Sequence, residues 1–227
     1  MSWPWKRRDH PTGAGADDEM AVKRLATILA ESVLSTTKAV ESNWAAAGQG
    51  SMTRRSRVTV FLETWWFYLY IVDRESFQSA GKETQACLFD RLAPLATELT
   101  RIVPEMSEVL MISAPGSDIG ASAMIGERFW ERYDQVALEY GSSPRALLGE
   151  DVLGGLARGE SLVGHLCTRM AGALGEERNV VRGVPLNGMW LCMTVLHSVS
   201  PAHLARVSEA VRTACRELRQ EPSTQAG

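Results

Sequence analysis

Residues 58–72 read VTVFLETWWFYLYIV, and this run is apolar on nearly every side whatever conformation it takes. Arg54, Arg55 and Arg57 precede it, and Asp73, Arg74 and Glu75 follow. A membrane span is the first reading to test. Fifteen residues rise only about 22 Å as a helix, short of a hydrocarbon core of about 30 Å. Glu63 inside the run would also cost a few kcal/mol in lipid. A strand is the second reading, favoured by Val, Trp, Tyr and Phe. Yet this length without a turn residue is long for a strand. The run is therefore expected to form a central helix that neighbours bury on several sides.

On such a helix Glu63, Trp66, Phe67, Tyr70 and Arg74 share one face. Glu63 and Arg74 lie about 16 Å apart along the axis and do not reach each other. A carboxylate among aromatic rings must find a partner or take up a proton. The partner is expected from another helix, with Arg91, Arg101, Arg128, Arg132 and His165 as the candidates. An ion pair that fixes packing register is the plainer role, and a ligand contact the sharper one.

The rest of the chain reads as helix. Val22, Leu25, Ile28, Leu29, Val33 and Val40 place an apolar stripe on residues 20–47, with Asp17 and Asp18 suited to its start. Gly48 and Gly50 end it. A second helix from Arg54 is expected to stop at Gly81 and a third to start near Lys82, with Pro94 kinking or ending it. A piece over 95–103, an ambiguous stretch 105–112 and a loop over 114–118 follow. Residues 119–140 form the cleanest amphipathic pattern, with Phe129, Tyr133, Val136 and Tyr140 on one face. Ser143–Pro144 opens a glycine-laden helical stretch reaching about residue 174. An apolar helix over 186–199 and a last one opened by Ser200–Pro201, with Leu204, Val207, Val211, Cys215 and Leu218 in line, complete the domain. Two-residue alternation is rare, and no Asn-Gly or Asp-Gly hairpin turn separates alternating runs. The pattern predicts an all-α, single-domain bundle of about seven or eight helices over 20–219, with flexible tails over 1–19 and 220–227.

Composition narrows the function classes. The 227 residues carry 24 basic and 27 acidic side chains, so the formal charge is −3. That balance disfavours nucleic acid as a partner. Arginine dominates the basic set, with Lys6, Lys23, Lys38 and Lys82 the only lysines, a bias typical of GC-rich bacterial coding. The cysteines Cys87, Cys167, Cys192 and Cys215 form no C-x-x-C pair and fit reduced, buried thiols of a cytoplasmic protein. The start of the chain lacks the apolar stretch of a secretory signal. Its Trp3, Trp5, Lys6, Arg7 and Arg8 offer a means of touching a membrane surface.

Known catalytic spacings are absent. No Glu is followed three residues later by His, as a di-iron bundle requires, and Glu160–His165 is five apart. No H-E-x-x-H, G-x-S-x-G or phosphate-loop pattern occurs. Glu127, Glu131 and Asp134 form a carboxylate stripe that Arg128 and Arg132 mark as a solvated face. His203 opens the last helix, where it caps or faces solvent, and His10 lies in the tail. His197, seven residues after Trp190, reads as a core or pocket histidine. No catalytic residue, cofactor or metal ligand is assigned. Three functions remain open. The first is a binding or assembly protein using protein–protein contacts or self-association. The second is an aromatic small-molecule-binding or enzymatic pocket built from Glu63, Trp65, Trp66, Tyr70, Arg74, His165, Trp190 and His197. The third is peripheral membrane attachment through residues 1–10.

Overall fold

The computed structural model describes residues 16–46, 51–101, 118–142, 161–176 and 187–219. Six helices occupy them: α1 (Ala16–Ala46), α2 (Arg54–Arg101), α3 (Asp118–Gly141), α4 (Leu162–Glu176), α5 (Asn187–Ser198) and α6 (Pro201–Arg219). All regular structure among the described residues is helical. The seven or eight helices expected become six here for two reasons. The limbs on either side of Gly81 join as one element, α2, across a break in helical geometry at the glycine where the sequence places the boundary, and Pro94 does not interrupt the second limb. The expected elements over 105–112, 114–117 and 143–160 and the tails over 1–15 and 220–227 lie outside the described residues.

Caps set several of the boundaries. The Thr53 hydroxyl accepts the Ser56 amide at 3.0 Å before α2. Ser161 accepts the Gly164 amide at 2.9 Å before α4, and Ser200 accepts the His203 amide at 3.3 Å before α6. Each hydroxyl satisfies an amide that has no partner within its helix. α1 begins at Ala16, four residues before the expected start, so Asp17 and Asp18 lie within its first turn, beside the positive helix end.

The backbone of α2 leaves helical geometry only at Gly81, with φ 78° and ψ 175°. Across that point the Gln85 side-chain amide donates to Asp73 Oδ1 at 2.6 Å and to the Asp73 carbonyl at 3.3 Å. Twelve residues along a straight helix would separate these groups by about 18 Å. α2 is therefore a helical hairpin. Its second limb, 82–101, runs back beside the first, and the Asp73–Gln85 bond fastens its closed end.

One hydrophobic core draws on all six helices. α1, the first limb of α2 and α6 pack against one another, while α4 lies on α2, α3 on α2, and α5 on α4 and α1. Within residues 58–72 every side chain is buried except Thr59 and Tyr70, which are half-buried. This is the wrapped central helix expected from the aromatic run. Each fully buried aromatic or aliphatic side chain contributes about 1.5–3 kcal/mol, so this segment supplies a large share of the cohesion. No helix among the described residues is long and apolar enough to cross a membrane.

Candidate functional site

The sequence singles out Glu63, and the fold gathers a polar cluster around it. Glu63 sits on the first limb of α2 at 6% exposure. Arg169 of α4 meets it with a fork of two hydrogen bonds, Nε to Oε2 at 2.6 Å and Nη2 to Oε1 at 2.9 Å. The third arm, Nη1, donates to Glu139 Oε2 on α3. A buried carboxylate is thus joined through one guanidinium to a carboxylate that is half open to solvent. This planar, two-pronged geometry is the strong form of the arginine–carboxylate pair.

The partner of Glu63 is therefore none of the five candidates drawn from the sequence. Arg128 and Arg132 stand exposed on the outer side of α3, and Arg132 donates instead to Gln135 at 2.7 Å. His165 does enter the cluster, but one turn before Arg169 on α4, where its Nε2 is 4.0 Å from Glu139 Oε2. A signal for Arg169 was present. It is a lone cation between Leu166, Cys167 and Met170, all buried, and it mirrors a lone glutamate among aromatic rings.

Aromatic rings close the cluster from one side. Tyr140 packs edge-on against His165, with centroids 4.9 Å apart, and stacks on Tyr70 at 5.1 Å. Burial holds the Tyr140 hydroxyl well above its usual value, and the nearby charge of Glu63 adds to this. For Arg169, desolvation pulls the pKa down. The hydrogen bonds and negative charge of Glu63, together with Glu139, outweigh it and leave the guanidinium more basic than usual. The guanidinium therefore keeps its charge between the two carboxylates.

Trp66 is buried and packs on Phe129, with centroids 5.9 Å apart. Arg74 is half-buried one turn beyond Tyr70. Trp190 belongs to α5, but its side chain lies outside the described residues. His197 corrects the sequence reading, because it is exposed rather than a core or pocket histidine. α5 turns Thr194 and Val195 inward; His197, two residues after Val195, is rotated about 200° from it. Glu127 and Glu131 of the carboxylate stripe are exposed and Asp134 is half-buried. Among the described residues no group of three or more His, Cys, Asp or Glu side chains is placed to hold a metal ion.

Two further polar pairs escaped the sequence reading. His203 is half-buried, and its Nε2 lies 2.8 Å from Ser32 Oγ on α1. Ser32 is fully buried and donates its own proton to the Ile28 carbonyl at 2.5 Å. The hydroxyl lies between the imidazole and that carbonyl, and the tautomer of His203 sets the direction of the bond between the two side chains. The pair ties α1 to α6. Desolvation and the charge of Arg206 lower the pKa of His203, against a smaller opposing effect of Glu31. At the closed end of α2, burial raises the Asp73 carboxyl to about 6 although Gln85 donates to it. No family model, curated protein or solved structure matches the chain.

Proposed function

We propose that this chain is a bacterial, cytoplasmic helical protein that binds or assembles other proteins through its outer faces, without chemistry of its own. One observation carries the reading: the most enzyme-like group in the chain, Glu63, is fully occupied by Arg169. Its recognition capacity is spent inside the molecule, whereas Met20, Leu34, Phe77, Leu138 and Met193 hold large apolar side chains in solvent. A furrow of about 550 Å³ between α1 and α6 adds a concave surface floored by Leu25 and Ile28. We read residues 20–219 as one bundle domain, its helix count reaching seven or eight where residues beyond the six helices contribute. Protein partners or further copies of the chain are the expected ligands.

The test is affinity purification of the tagged full chain from its native cell extract, with light scattering of the purified protein alongside. A reproducible protein partner or a stable self-associated state is the expected result. A clean monomer that retains no protein overturns the reading.

A further inference from the structure

α1 packs Val22, Leu25, Leu29 and Val33 into the core. On the opposite side Met20, Lys23, Thr27, Glu31 and Leu34 are all exposed. Their steps of three, four, four and three keep them within about 80° of one another around the helix axis. The stripe spans about 21 Å. Met20 is 66% exposed and Leu34 48%, so large apolar side chains stand at both ends.

The chemistry of the stripe is palindromic about Thr27. An apolar residue, a cation, a threonine, an anion and an apolar residue follow in order. Two such helices laid antiparallel, with a two-fold axis at Thr27, place Met20 opposite Leu34 of the other copy. Lys23 then faces Glu31 of the other copy, and Thr27 faces itself. Each contact occurs twice, as an isologous interface demands. The spacing is that of a helix seam, in which apolar positions meet and flanking charges set orientation. A parallel arrangement would set Lys23 against Lys23 and Glu31 against Glu31, so the charges select the antiparallel one.

From this geometry we propose that the outer face of α1 is a two-fold interface for a second copy of this chain. The inference rests on the assembly reading above and names its partner. Existing bonds on the face do not oppose it. Lys23 pairs with Glu19 at 2.7 Å and Glu31 with Arg206 at 3.0 Å, and all four side chains are more than half exposed. Exposed pairs of this kind contribute little and exchange readily. Thr27 and Glu31 also line the furrow between α1 and α6, which gives the incoming helix a concave track beside the seam.

Sedimentation velocity on the full chain tests this, with circular dichroism melts to confirm that each variant is folded. The wild type dimerises below about 100 μM, the range expected for a small, partly polar interface. Lys23→Glu and Glu31→Lys each place like charges across the axis twice and weaken association about tenfold or more. The double variant Lys23→Glu/Glu31→Lys restores opposite charges and recovers dimerisation. A monomeric wild type, single variants that dimerise unchanged, or a double variant without recovery each overturn the proposal. A monomer that still captures a partner from extract overturns the second copy alone. A monomer that captures nothing overturns the assembly reading with it.

Discussion

Replacing Asp73 with Asn isolates the cost of one buried charge. The carboxyl has a folded-state pKa of about 6 against 3.8 when unfolded, because burial outweighs the hydrogen bond from Gln85. A folded pKa above the unfolded one means that the folded state holds the proton more tightly. The ionised carboxyl therefore opposes folding fully above pH 6, and the cost fades as pH falls toward 4. The separation of the two values corresponds to about 3 kcal/mol at neutral pH. Asn keeps an oxygen for the Gln85 amide and carries no charge. At pH 7.5 the variant is expected to be about 1–3 kcal/mol more stable than the wild type, by urea unfolding. At pH 4.5 the gap should shrink to about a third, and near pH 3.5 the two should nearly coincide. His203 has a lowered folded pKa, so its contribution is lost as pH falls through 6.5, but it acts on both proteins and cancels in the difference. A variant less stable than the wild type at pH 7.5, or a gap that does not close on acidification, would refute the argument.

Three single substitutions and one double address the other particulars of the fold. Gly81→Ala meets open space but places a side chain at φ 78° and ψ 175°, so it should cost about 1–3 kcal/mol from backbone strain alone. Gly172→Ala, also in open space but within α4, should instead stabilise by about 0.5–1 kcal/mol in the same thermal melts. Arg169→Met leaves Glu63 buried without its cation and should cost about 3–5 kcal/mol, while the double change Glu63→Leu/Arg169→Met should recover most of this. Equal losses in the single and double variants would show that the ion pair is not the source.

The elements of this fold that were legible in the sequence are those with local causes. The stripes of α1, α3 and α6 are written in steps of three and four, and glycine marked the reversal at 81 because φ 78° excludes other residues. Pro94 misled, since the helix carries it on an exposed surface where a missing amide bond is tolerated. For the site, the aromatic run demanded that Glu63 find a partner, which is a solvation argument and needs only the sequence. Which arginine answers depends on how α4 lies across α2, and no spacing in the chain encodes that crossing. His197 shows the same limit, because an isolated match to Trp190 said nothing about which side of α5 faces inward.

The Glu63–Arg169 pair joins residues 106 apart. During vectorial synthesis the aromatic helix leaves the ribosome long before its cation exists. Until α4 emerges, burying residues 58–72 would strand an uncompensated carboxylate, so the nascent chain has an electrostatic reason to delay consolidation of its most cohesive segment. Burial of that segment with Glu63 ionised thus depends on a residue of α4, 106 positions later in the chain.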